Sequence, residues 1–158
     1  MAPWLSGTTF GAILTTFFMS AVPIIELRGG IPWGVAHDLP PLISYTAAVL
    51  GNMLPIPFIL LFLRHAFNWL RNFEKTKGLV EGLERRAHLK GRKVEKYKSL
   101  GLVLLVAIPL PGTGAWTGAL VASVLDIPLR KSLLLIFIGV CSAGIFMLTL
   151  SHSIKLAF

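Results

Sequence analysis

The chain has 158 residues, of which 54% are hydrophobic and only 14% charged; soluble domains carry about 45–50% apolar residues, so a water-soluble fold has nowhere to place this surface. The net charge of +8 is concentrated between Arg64 and Lys98, where eleven Lys or Arg stand against Glu74, Glu81, Glu84 and Glu95, giving +7 of the total. A basic block between apolar segments is a topology signal before it is a nucleic-acid surface, so no nucleic-acid partner is expected.

In chain order, Met1 to Pro23 has an apolar centre but neither a basic start nor a small-x-small cleavage site, and is expected to remain part of the fold. Thr8 to Val22 is followed at once by Pro23, Glu26, Arg28, Gly29, Gly30 and Pro32, the pattern of a helix, a break and a second short helix. This predicts a re-entrant hairpin over residues 8–37. Leu42 to Leu63 is long enough to cross a bilayer, for which about 20 apolar residues suffice. Asn52, Pro55 and Pro57 interrupt it near mid-depth, freeing carbonyls and placing one amide side chain there. Residues 64–98 form the basic link. Within it Leu79, Val80, Leu83 and Ala87 fall at helical spacing, as in an amphipathic helix lying on anionic lipid. Leu100 to Leu110 would rise only about 16 Å as a helix, roughly half the hydrocarbon thickness. It runs into Pro111, Gly112, Thr113 and Gly114, and predicts a second re-entrant hairpin over 99–126. Irregular backbone at such depth is allowed where protein or a watery cavity covers it. Ser132 to Leu150 is the second crossing helix.

Sliding the sequence by 88 positions without a gap lays Pro23 on Pro111, Gly30 on Gly118, Asp38 on Asp126, Pro40 on Pro128, Ser44 on Ser132 and Gly51 on Gly139. Asp38 and Asp126 sit where each crossing helix should begin and are expected to cap it, with the following Pro in its first turn. If each half, 1–63 and 99–158, has one non-crossing hairpin and one crossing helix, the halves must be inserted upside down relative to each other. The expected fold is an all-α integral membrane protein built as an inverted repeat of two such units. Positive-inside reasoning places the link, with Arg130 and Lys131, in the cytoplasm and both termini outside the cell membrane. A single copy with two crossings offers little protein to seal a polar path, so a homo-oligomer, most simply a dimer, is expected.

Glu26 and Arg28 are the ionisable residues of the first break, and an intramembrane charge is a functional hypothesis by default. Arg28 precedes Gly29 and Gly30, which let backbone amides approach a ligand, and a helix beginning near Ile31 would aim its positive end at the same spot. Arginine with a helix N-terminus predicts a phosphate or carboxylate site, with Glu26 carrying a proton. The second break supplies backbone amides at Gly112 and Gly114, hydroxyls at Thr113 and Thr117, and the ring of Trp116. Asn52 completes the expected substrate-binding set. A structural salt bridge at the first break and Gly/Thr packing at the second are the competing readings.

Cys141 is the single cysteine, so neither an intrachain disulfide nor a cysteine-based metal site is expected, and the four histidines form no metal-spaced cluster. No zinc-binding histidine motif, nucleophile elbow or phosphate-binding loop is present, and the chain is expected to be neither an enzyme nor a cofactor carrier.

The segments Glu26-Leu27-Arg28-Gly29-Gly30-Ile31-Pro32 and Pro109-Leu110-Pro111-Gly112-Thr113-Gly114-Ala115-Trp116 resemble the paired signatures of the small multi-drug export proteins, over nearly the whole chain. The arrangement of opposed hairpins also resembles, in topology, the DedA/VTT superfamily, which implies lipid flipping; of the two arginines in the DedA pattern only Arg28 has a counterpart. The first functional expectation is a transporter or flippase for an amphipathic, phosphate-bearing lipid of polyprenyl-phosphate type, with proton coupling through Glu26. The alternative is an exporter of hydrophobic cations that uses Glu26 as binding carboxylate and Trp4, Trp33 or Trp116 as walls. A third is a non-transporting membrane scaffold.

Overall fold

Residues 9–71, 91–109 and 112–157 are described in this computed structural model, and all regular structure among them is helical. The helices are α1 (Thr9–Ala21), α2 (Glu26–Ala36), α3 (Pro41–Met53), α4 (Ile56–Arg71), α5 (Gly91–Ala107), α6 (Ala115–Val124) and α7 (Leu129–Ala157). The amphipathic helix expected around Leu79 to Ala87 lies outside the described residues.

Proline places most of the boundaries. Val22 precedes Pro23, which disfavours helical backbone at Val22, and α1 stops at Ala21. The Val22–Ile25 turn closes with the Glu26 N–H donating to the Val22 carbonyl at 2.9 Å. The second helix therefore begins at Glu26, before the glycines and not near Ile31. Pro32 is inside α2, where its missing N–H costs one bond without ending the helix. The crossing helix expected over 42–63 is two helices, because Pro55 cannot donate to the Gly51 carbonyl and the chain bends at Leu54–Pro55. The second extends beyond 132–150 in both directions.

Two stretches are long and apolar enough to cross a bilayer, Pro41–Ala66 with 26 residues and Leu129–Ala157 with 29. At 1.5 Å per residue they would rise about 39 and about 43 Å, more than the ~30 Å hydrocarbon layer. By contrast α1, α2 and α6, with 13, 11 and 10 residues, are too short to cross. The long helices turn Phe58, Phe62, Leu134, Ile145 and Ile154 outward, more than half exposed. That much outward apolar surface suits lipid and not water.

The 88-residue offset recurs in the backbone. Asp38 and Asp126 hold φ of +60° and +57°. At each, the next N–H reaches back five residues, Leu39 to the Gly34 carbonyl and Ile127 to the Ala122 carbonyl, both at 3.0 Å. This is a helix C-terminal motif that usually takes glycine. The aspartates thus end α2 and α6. The expected capping of α3 by Asp38 does not occur, since α3 begins after Pro40 with no side-chain cap.

Packing follows the same correspondence. α1 packs on α2 and α3, and α5 on α6 and α7; then α2 crosses to α7 of the other half, and α6 to α4. Ile31, Ile56, Leu60, Leu102, Ile136 and Val140 form the fully buried centre where these crossings meet. Gly51 lets α3 approach the Phe17 backbone of α1, and Gly139 lets α7 approach Val106 of α5, whose carbonyl at Val103 would stand 3.1 Å from an added Cβ. Small residues set the closest approach of helices where no water drives them together.

Candidate functional site

The two breaks meet. Glu26 opens α2 straight after the Val22–Ile25 turn and holds φ at +50°, a left-handed conformation that costs a residue with a Cβ about 1–3 kcal/mol. Its residue is 5% exposed, and carboxylate Oε1 accepts from the backbone N–H of Trp116 at 3.4 Å. Trp116 lies in the first turn of α6, where N–H groups lack helical acceptors and the aligned peptide dipoles leave partial positive charge. A buried carboxylate from one half is thus seated on a helix end of the other.

Gly114 makes the seat possible. It is the cap residue of α6 with φ +143°, and an added Cβ would stand 2.6 Å from Glu26 Cδ. Glu26 and Gly114 are themselves 88 residues apart, so equivalent positions touch, both at positive φ.

Arg28, half-buried on α2, donates from Nη2 to Thr113 Oγ1 at 2.8 Å. Thr113 Oγ1 donates to the Ile108 carbonyl at 2.8 Å, and Thr117 Oγ1 to the Gly112 carbonyl at 2.9 Å. The hydroxyls of the second break therefore brace its own loop, with Thr113 also accepting from the arginine.

Glu26, Arg28, Thr113, Gly114 and Trp116 come together. Gly29 and Gly30 do not expose amides as expected, because α2 begins at Glu26 and not near Ile31. The Gly29 N–H donates to Ile25, and Gly30 packs against Ser20 and the Thr16 carbonyl of α1. Gly112, at φ +84°, has open space where a side chain would be and serves the turn. Asn52 is 1% exposed in α3, and neither of its amide atoms has a hydrogen-bond partner among the described residues. No hydrogen bond therefore links it to Glu26 or Arg28 among the described residues. The indole N–H of Trp116 is likewise buried without a partner, as is that of Trp33.

Two cross-half contacts were missed in the sequence. Arg64, on α4, donates to the Ile127 carbonyl beside the turn at Asp126. Lys155, in the last turn of α7, donates to the Val35 carbonyl at 2.7 Å and to Asp38 Oδ1 at 2.6 Å. Arg64 from the second half of α4 and Lys155 from the end of α7 thus reach turns that the offset equates. The signal available was the pair of aspartates at equivalent positions; nothing in composition says which cation reaches them.

A family described as "Putative small multi-drug export protein" matches residues 26–146, well over half of the chain. The chain belongs to this family. The matched region opens at Glu26, just after the first break, and includes the second break and most of both long helices, so Glu26 and Gly114 both lie within it. With two apolar helices of crossing length, this family member is a membrane protein. No curated protein and no solved structure matches it significantly. Among the described residues no three His, Cys, Asp or Glu side chains gather as a metal site would require.

Proposed function

We propose that this family member exports an amphipathic substrate with an anionic head group, of polyprenyl-phosphate type, and binds it at the junction of Glu26 and Arg28 with Thr113, Gly114 and Trp116. The observation that carries the reading is a buried carboxylate and a half-buried guanidinium from one break, set against glycine backbone and hydroxyls from the other. A pair that only pinned one hairpin would not need a left-handed glutamate or a glycine opposite it. In this reading the two short-helix pairs are re-entrant, the halves are inverted in the bilayer, residues 64–98 face the cytoplasm and both termini lie outside. Asn52 contributes an amide along the path, two copies seal it, and no covalent chemistry is involved. Cysteine labelling that finds residues 64–98 reactive only from outside overturns the orientation.

Arg28 is the test of the site. Its planar fork suits an oxyanion, and a hydrogen bond to a charged group contributes about 1.5–3 kcal/mol, so Arg28→Ala should slow anion transport roughly ten- to a hundredfold. Arg28→Lys should recover little of it. Unimpaired flux of an anionic lipid in proteoliposomes of Arg28→Ala refutes the anion site.

The family description favours a second reading, a hydrophobic cation bound on Glu26. The two part company at Arg28, whose removal should then improve export of a cationic dye.

A further inference from the structure

The proposed site is already filled by part of the protein. Glu26 lies so close to Gly114 that its carboxyl carbon is 2.6 Å from where a Cβ would be, and its Oε1 takes the Trp116 N–H. No phosphate or carboxylate can reach those amides while Glu26 stays. We propose that the Glu26 carboxylate is a tethered occupant of the anion site, and that the substrate's anionic group takes its place between Arg28 and the start of α6. This rests on the anion reading above.

Three observations argue for exchange over permanent capping. First, the seat is strained: Glu26 holds φ +50°, whereas a glutamate placed to cap a helix of its own half would need no such backbone. Second, the contact is loose, at 3.4 Å, longer than the 2.7–2.9 Å usual for a charge-assisted bond. Third, the Trp116 side chain buries a second N–H with no acceptor among the described residues, on the very residue whose backbone N–H meets Glu26. An incoming oxyanion has more acceptor oxygens than the carboxylate it displaces.

The exchange also couples a proton to the substrate. Once displaced from the amides, Glu26 has lost its compensation in a buried setting and takes up a proton; when the substrate leaves, the proton leaves and the carboxylate returns. A singly charged anion and one proton then move through the site without net charge. Arg28 is the charged group that acts on Glu26 from its own helix. α1 and α6 have no titratable side chain, and α3 has only Tyr45, whose hydroxyl donates to the Cys141 carbonyl. α7 has Cys141 in its middle and Arg130, Lys131, His152 and Lys155 near its ends, with Lys155 engaged at Asp38. α4 has Arg64, His65 and Arg71 in its second half.

The test is binding of dihexyl phosphate, a diester whose charge is constant between pH 5 and 8, to the purified full chain in neutral detergent. An equilibrium that is mostly self-occupied lowers apparent affinity by the occupied fraction, so wild type should bind about tenfold more tightly at pH 5 than at pH 8. Glu26→Gln should bind at pH 8 as wild type does at pH 5, with no pH dependence. Competition by inorganic sulfate would extend the exchange to free anions; competition by dihexyl phosphate alone would confine it to amphipathic ones. Flat wild-type binding across this range, which needs no variant to fold, overturns the proposal. So does a folded Glu26→Gln that binds no more tightly than wild type at pH 8. If Arg28→Ala abolishes binding while Glu26→Gln changes nothing, the anion site stands and only the exchange falls.

Discussion

The first break carries charge on a helix and the second carries bare backbone in a loop, although the two occupy equivalent positions in the halves. At the first, α2 starts after only the four residues Val22–Ile25, and Glu26 and Arg28 project from its opening turn. At the second, the chain takes longer to restart: α5 ends at Ala107, α6 begins at Ala115, and Gly112 and Gly114 hold positive φ before it. The difference teaches what two sequence-equivalent positions must do where they touch. Equivalent residues there face each other, so two glutamates would repel and overlap, while two glycines would leave a hole. One side chain can fill the space, and Glu26 opposite Gly114 is that solution.

Exchanging the pair tests this comparison most severely. Gly114→Glu alone puts a second carboxylate against Glu26 and should abolish transport and lower the thermal midpoint in detergent by several degrees, from a cost of at least about 2 kcal/mol. Adding Glu26→Gly moves the one carboxylate to the other half, where it can face the start of α2. The double variant should regain the part of the lost stability that comes from overlap and repulsion, while the strain of a side chain at φ +143° remains. A double variant as unstable as Gly114→Glu would show that the breaks are not interchangeable, and that the contact of equivalent residues owes nothing to symmetry.

Much of this architecture was legible because proline, glycine and apolar length act locally. Pro23 and the run from Ser132 to Leu150 point to elements that exist, with ends moved by a few residues. What was not legible depends on partners from the other half. Gly29 and Gly30 looked like ligand-approach glycines because a Gly-Gly pair beside Pro32 commonly marks a break; yet Gly30 is used to bring α2 against α1, which only the packed helices reveal. Gly114 carried the opposite ambiguity, and Glu26 across the junction resolves it. Arg28 was singled out for its charge, but its acceptor Thr113 lies 85 residues away, and no local rule connects them.

The two ends of the molecule offer a second and milder contrast. Arg64 and Lys155 each tie a long helix to the turn at the end of the other half's short helix, but Arg64 meets a carbonyl, whereas Lys155 also meets the carboxylate of Asp38. Only the latter contact should respond to acid. The ammonium of Lys155, by hydrogen bond and by charge, holds the Asp38 carboxyl below the usual carboxylate range. A depressed carboxyl stabilises the fold above its unfolded value, about 3.9, and that contribution is lost as pH falls through the lower folded value. Both groups are well exposed, 41% and 88% for the side chains, and solvent screens the pair heavily. Asp38→Asn should therefore melt within about 2 °C of wild type at neutral pH, because Lys155 keeps its bond to the Val35 carbonyl. The small gap should close further below pH 4, where wild type loses the charge that the variant never had. A gap that widens toward low pH would mean that Asp38 is stabilised as the neutral acid, and that Lys155 is not its effective partner.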